Sequence, residues 1–419
     1  MKKLTRTERQ IHVLRNWRTH NFRGIFQAAT GFGKTYTAIM AIQGMVPKFG
    51  ISSCLVVVPT LELKSQWEKE LKDNKLLFVK VVVINTGIKT NGKYDMLILD
   101  ECHRYAAESF RKIFEVIEAK YVLGLTATLQ REDGLHEVIL EYLPVIDTIS
   151  VDEALENDWI APYVVYNIPV SLSADEQIAY NKADNAFKHF AAVLGFGGEA
   201  FKNANAYLKS SDKAMAGKAA AYYNALRKRK EIALNNINKI TATDSIINSM
   251  PSRNGLIFSA TTDFAEELQN TLGSKCMSFH SKINRKNQEL IIKKFKDKRT
   301  KVRFLSTVQA LNEGFNVPDC SLAIIAGSNS TQRTFIQQLG RVIRMVPDKK
   351  AIIINLYTPN SQEEVWMKKR LEGISKERII TCELDEFINL QNGDSTEHSS
   401  IEEEPIDAES DSDIISVVL

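Results

Sequence analysis

Between residues 25 and 148 short apolar runs alternate with longer amphipathic stretches. The runs SCLVVVP, KVVVIN, MLILD and YVLGLTAT are short and rich in β-branched residues, which predicts strands buried on both faces. The intervening LELKSQWEKELK sets Leu63, Trp67 and Leu71 four apart, one face of a helix. This is the βαβ rhythm of a parallel sheet covered by helices. It returns from about Gly255 in GLIFSA, CMSFHS, VRFLSTV, LAIIAG and AIIINLY, separated by amphipathic stretches such as RKNQELIIKKFK. Two α/β domains are predicted.

Residues 174–240 hold no comparable β run and are rich in Ala, Lys and Asn. Tyr223, Leu226, Ala233, Ile237 and Ile240 follow helical spacing, with Lys230 interrupting the stripe, so the segment reads as a helical insertion. GFGG at 195–198 predicts a break between its helices, since glycine is costly inside one. The four bases Arg227 to Lys230 span more than one turn, so they cannot share a single face, which predicts a solvated helix, with nucleic-acid contact as the alternative.

The chain has 419 residues, long enough for two or three domains. No apolar run approaches the length of about 18 residues that a membrane helix needs, which predicts a cytoplasmic protein. The five cysteines are scattered, form no CxxC pair, and predict reduced thiols. The net charge of +3 hides an asymmetry: Gln391 to Leu419 carries nine acidic and no basic residues, leaving 54 bases against 42 acids, or +12, on the body. A basic body suits a polyanionic partner. The acidic tail, 391–419, reads as disordered, with roles as a nucleic-acid mimic, a partner-binding segment or a solubilising tail all open.

AATGFGKT at 28–35 follows the apolar GIFQ and precedes the helical YTAIMAIQ, the strand, loop and helix context of a phosphate-binding loop. Ala28 stands where the strict pattern has glycine. Thr30, Gly31, Phe32 and Gly33 form the loop, Lys34 would reach the β- and γ-phosphates of ATP, and the Thr35 hydroxyl would hold Mg²⁺. LILDECHRY at 97–105 could supply a metal site, a reactive thiol or a carboxylate pair at a strand end. The phosphate loop selects the third: Asp100 at the Mg²⁺ and Glu101 orienting the attacking water, with Cys102 and His103 as neighbours.

In this order the motifs resemble those of the superfamily 2 helicases, with Asp100-Glu101-Cys102-His103 as the second motif and the match covering roughly residues 5–360. The resemblance implies that Gln10 reads adenine, that Pro59, Thr60 and Thr86 contact the nucleic-acid backbone, and that LTATL, with Thr126 and Thr128, couples the domains. STVQALNEGFNVPD implies strand and nucleotide contacts through Ser306, Thr307, Glu313 and Gly314. QQLGRVIR implies Gln337 near the attacking water and Arg341 and Arg344 as arginine fingers. GLTATLQREDG and the insertion resemble the branch of DNA helicases that includes XPB and the phage helicase UvsW, with Arg131 to Asp133 at a duplex junction and the insertion as a thumb.

That resemblance implies two tandem RecA-like domains: 1–148; 149–390, including a thumb-like insertion at 174–240; and the tail, 391–419. It implies an ATP- and Mg²⁺-dependent DNA helicase or branch-migrating translocase acting as a monomer on forked or four-way DNA in recombination or repair, nucleoid-associated and in the host cytoplasm if phage-encoded. RNA helicase is the alternative, since the same phosphates can be gripped in RNA, and a nucleotide-gated binding module without catalysis is the third reading.

Overall fold

The computed structural model describes residues 3–129, 134–195, 197–308, 320–327, 335, 340, 342–343 and 349–393. Helix α1 (Arg6–Thr19) begins in a capping box: the Thr5 hydroxyl accepts from the Glu8 N–H, and the Glu8 carboxylate accepts from the Thr5 N–H. The first sheet then collects β1 (Arg23–Ala28), β2 (Cys54–Val58), β3 (Val79–Val83), β4 (Gly92–Leu99), β5 (Ile117–Thr126) and β6 (Val145–Ile149), with α2 (Lys34–Phe49) and α3 (Leu61–Asp73) as crossovers. Its order is β3-β2-β4-β5-β1-β6, every pair parallel. On α3 Trp67 and Leu71 are buried and Leu63 half-buried, as the stripe predicts. Strand β6 ends at Ile149, one residue past the expected domain boundary.

The second sheet starts before the insertion, with β7 (Tyr163–Pro169). The insertion follows as α4 (Ala174–Leu194), α5 (Gly198–Leu208) and α6 (Lys213–Leu234), and α4 ends at Gly195, where φ is +106°. The chain returns through α7 (Asn238–Ser249), β8 (Gly255–Phe258), α8 (Thr262–Leu272), β9 (Cys276–Phe279), α9 (Arg285–Lys296), β10 (Phe304–Thr307), β11 (Leu322–Ile325), β12 (Ala351–Tyr357), α10 (Gln362–Arg370), β13 (Ile379–Thr381) and α11 (Leu384–Gly393). The order is β13-β7-β12-β11-β8-β10-β9, again all parallel. β8, β11 and β12 are buried at every position, the signature of a sheet covered on both faces.

Two expectations for the insertion need correction. The stripe from Tyr223 to Ile240 is not one helix: α6 stops at Leu234, and Ile237 is exposed. The break arises because the buried Asn236 amide donates to the Val170 carbonyl at 2.7 Å and to the Thr358 hydroxyl at 3.2 Å, partners a straight helix could not reach. Ile240, with Ile246 and Ile247, instead belongs to the core of the second domain. The insertion has its own small core, Leu194, Ala200, Ala204, Ala219 and Tyr222. Nor is the basic run wholly solvated: Arg229 pairs with Asp184 at 2.9 Å and lies 4.2 Å from the Phe187 ring centroid, pinning α6 to α4.

The two sheets share one continuous apolar cluster. Phe32, Met40 and Val56 of the first domain join Phe258, Leu305, Phe335 and Val342 of the second, and Trp159 and Ile160 of the connecting segment lie within it. The Ala161 N–H donates to the Ile343 carbonyl at 2.9 Å. Among the described residues no helix is long and apolar enough to cross a membrane.

Candidate active site

The sheet order itself assembles the site. β4, β5 and β1 are consecutive neighbours, and parallel strands bring their C-terminal ends to one edge. That edge therefore carries Asp100 and Glu101 after β4, Thr126 at the end of β5 and the loop 29–33 after β1. Adjacent strands lie about 4.8 Å apart, so the three groups gather within about 10 Å of one another.

In the loop Gly31 and Gly33 take φ of +93° and +103°, a left-handed geometry that L side chains rarely adopt. This turns the chain sharply into α2, whose N-terminal N–H groups and dipole favour an anion. Lys34 is half-buried, with Nζ donating to the Ala28 carbonyl at 3.0 Å. Burial pushes its ammonium pKa down, while the charges of Glu101 and Asp100 push it back up. Gln10 is buried and its amide donates to the Gly33 carbonyl at 3.3 Å, which puts it against the loop. Thr30 keeps a buried hydroxyl oxygen with no hydrogen-bond partner among the described residues. Thr35 is half-buried in the first turn of α2. The Phe32 ring is fully buried and packs edge-on against Trp159 at 5.2 Å, so Phe32 serves the loop through its backbone.

Asp100 is held from three directions. The Trp67 indole N–H donates to Oδ2 at 2.8 Å, the Glu101 N–H donates to Oδ1 at 3.0 Å, and the Asp100 N–H donates to the Val57 carbonyl at 3.0 Å. Burial pushes its carboxyl pKa up; the Trp67 bond and the Lys34 charge oppose this. Glu101 is left-handed, φ +47°, a conformation that costs a non-glycine residue of order 1 kcal/mol or more and marks a position the surroundings dictate. Its Oε2 lies 3.3 Å from His103 Nδ1, and the same nitrogen is 3.0 Å from the Thr126 hydroxyl oxygen. Thr126 donates its own hydrogen to the Thr128 carbonyl at 2.8 Å, so His103 carries its proton on Nδ1. A line of polar contacts thus runs from the carboxylate past His103 to LTATL. Cys102 is buried against Gly124, with burial holding its thiol protonated.

Of the expected nucleic-acid contacts, Pro59 and Thr60 are half-buried and Thr86 is exposed. Thr60 also caps α3, its hydroxyl accepting from the Leu63 N–H at 3.3 Å. Ser306 is fully buried, with Oγ 2.9 Å from Ser259 Oγ. Thr307 is also buried, and its hydroxyl has no hydrogen-bond partner among the described residues. Arg131, Glu313, Gly314, Gln337, Arg341 and Arg344 lie outside the described residues. Their neighbour Gly340 does not: a Cβ there would fall 1.9 Å from Thr30 Cγ2, so Gly340 itself lies against the phosphate loop. Trp67 is the site residue that the sequence reading missed. It was visible only as part of the apolar stripe, and nothing local announces a bond to a carboxylate 33 residues away.

The model of the helicase conserved C-terminal domain family matches residues 238–346, and that of the type III restriction enzyme res subunit family matches 3–76 and 72–131. The unmatched stretch between them contains the insertion. The chain is 28% identical to the DNA 3'-5' translocase XPB2 of Sulfurisphaera tokodaii, over 87% of this chain and 84% of that protein. It is 22% identical to the putative DNA 3'-5' helicase Rad25 of Haloarcula marismortui, over 88% of this chain but 55% of that longer protein. The structure of S. cerevisiae Dbp5 bound to RNA and ADP BeF3 superposes with a TM-score of 0.59 at 14% identity, covering 91% of each chain, a likeness of fold alone. Two RecA-like domains, the matches to the helicase C-terminal and restriction-enzyme res subunit families and the relationship to XPB2 and Rad25 converge: the chain belongs to the superfamily 2 DNA helicases related to XPB, a family of ATP-driven motors.

Proposed function

We propose that the protein is an ATP- and Mg²⁺-dependent translocase that unwinds or branch-migrates forked and four-way DNA in recombination or repair. The observation that carries the reading is the convergence of Lys34, Asp100, Glu101 and Thr126 at one sheet edge, with Gly340 of the second domain against Thr30. The residues present fit a nucleoside triphosphate: a left-handed glycine loop at a helix N-terminus, a half-buried lysine beside two carboxylates and a Thr30 hydroxyl without a hydrogen-bond partner among the described residues are what an anion with a divalent cation would complete. Bound Mg²⁺·ATP supplies the phosphoanhydride and the divalent charge that neutralises it. Lys34 and the loop N–H groups would hold phosphate oxygens, Thr35 and Asp100 the cation, and Gln10 the base. Glu101 would orient water, and Arg341, Arg344 and Gln337 would approach from the second domain.

Closure of one domain on the other is then a two-state element governed by the loop. Thr60 and Thr86 would grip phosphates without reading bases, giving translocation independent of sequence. Opening a base-pair step costs roughly 1.4 kcal/mol, and exchanging one duplex for another nearly cancels it, which suits a compact motor to branch migration. Support for DNA comes from the XPB2 and Rad25 relationship.

The test is ATP turnover at one salt concentration without nucleic acid and with single-stranded DNA, a four-way DNA junction and matched RNA. Stimulation greatest on the junction is expected. Stimulation by RNA alone moves the protein to the RNA helicases, and stimulation by none removes the motor reading.

Gly340→Ala tests the closure. The added methyl overlaps the Thr30 side chain, 1.9 Å from Cγ2 and 2.2 Å from Cβ, so position 340 and Thr30 must move apart. Overpacking of this kind costs about 1–3 kcal/mol. DNA-stimulated turnover is expected to fall roughly tenfold, while the heat-induced unfolding transition stays in place. Turnover within twofold of the parent would mean that the motor works without this approach.

A further inference from the structure

The segment expected to grip the strand also holds Asp100 on two sides. β2 ends at Val58, Pro59 and Thr60 follow, and α3 begins at Leu61. Before that turn the Val57 carbonyl accepts from the Asp100 N–H at 3.0 Å and from the Tyr105 hydroxyl at 2.9 Å. After it the Trp67 indole N–H donates to Asp100 Oδ2 at 2.8 Å. Trp67 is 1% exposed, so its ring cannot move without the helix. Two turns of α3, about 10 Å, separate the Thr60 cap from the indole. A buried donor bonded to a buried carboxylate transmits displacement because neither group has water to turn to instead.

Resting on the proposed function, we propose that Trp67 is a positioning residue that couples strand contact at Pro59 and Thr60 to the orientation of Asp100, with α3 as the lever. A strand phosphate at the turn fixes the N-terminus of α3, and the indole passes that constraint to the carboxylate that would hold the cation. The coupling is reciprocal: the state of the nucleotide site must alter affinity for the strand by the same factor as the strand alters affinity for nucleotide.

The test is a binding cycle on the full chain, with turnover left out. Affinity for a single-stranded DNA oligonucleotide is measured with and without ADP and beryllium fluoride, in the parent, in Trp67→Phe and in a protein carrying 3-benzothienylalanine at position 67. That analogue keeps the bicyclic shape and replaces the N–H with sulfur, so it answers the question if Trp67→Phe folds poorly. The parent is expected to show a nucleotide-dependent change of about 5- to 150-fold. Both variants are expected to bring it within about twofold, while each retains its binding of the oligonucleotide alone. Variants that keep the parent's ratio overturn the proposal, as do variants whose two affinities fall in parallel, since a purely structural tryptophan would behave that way. A parent with no nucleotide-dependent change defeats the motor reading, and the lever with it.

Discussion

Glu101→Gln should bind nucleotide as the parent does and hydrolyse it roughly 10²- to 10⁴-fold more slowly, the range that a positioned proton acceptor contributes. The change is isosteric, so the left-handed backbone at φ +47° and the Asp100 Oδ1 bond to the residue 101 N–H are unaffected. What is lost is the charge. An ionised carboxylate only accepts hydrogen bonds, whereas an amide presents donors on one side and cannot take a proton from water. The contact at 3.3 Å with His103 Nδ1 constrains the result further. Since His103 already gives its proton to Thr126, the glutamine must turn its oxygen to that nitrogen and leave its NH₂ toward the site. Equilibrium binding of a fluorescent ATP analogue and steady-state phosphate release separate the two effects. Turnover within threefold of the parent would remove Glu101 from the water-orienting role, whatever the binding result.

How much of this was legible from the sequence depends on where each interaction is encoded. Strands buried on both faces declare themselves: CLVVV, GLIF and AIIINLY are apolar at nearly every position because a parallel sheet between helix layers leaves no solvated face. β6 and β7 were not anticipated. VIDTI and YVVYNIP alternate buried and half-buried or exposed residues, and polar Asn167 is buried only because Asn355 on the neighbouring strand donates to it at 2.9 Å. The phosphate loop was readable because its chemistry is contiguous. The grip on Asp100 was not, since Val57, Trp67 and Asp100 meet only through the fold. The stop of α6 at Leu234 has the same origin: helical spacing runs on to Ile240, and the bonds of Asn236 to the distant Val170 carbonyl and Thr358 hydroxyl account for the break.

Lys239→Met should destabilise the second domain by about 3–5 kcal/mol, the cost of removing one partner of a buried ion pair. Lys239 Nζ donates to both oxygens of Glu363, at 2.7 and 2.6 Å, and to the Ala233 carbonyl at 3.1 Å, with the two side chains 0% and 1% exposed. Glu363 also accepts from the Thr358 N–H at 2.9 Å, and the Thr358 hydroxyl donates to the Ala233 carbonyl at 2.9 Å. The cluster therefore ties three points together: the end of α6, the start of α7 and the first turn of α10, where a carboxylate also suits the helix dipole. Burial pushes the Lys239 pKa down while Glu363 pushes it up, and burial pushes that of the adjacent Arg370 down to about 10. Methionine fills the space of the lysine stem yet strands Glu363 in the interior, so the penalty comes from the carboxylate left behind more than from the bond lost. Lys239→Met with Glu363→Leu removes both charges and should recover much of the loss, leaving the Thr358 N–H as the unsatisfied remainder, since the Ala233 carbonyl keeps its bond from the Thr358 hydroxyl. Urea unfolding monitored together with hydrogen exchange of residues 233–240 and 358–364 reads the effect where it arises. If the single variant lies within 1 kcal/mol of the parent, the pair behaves as a surface ion pair would, and the base of the insertion is held by Asn236 and apolar packing instead.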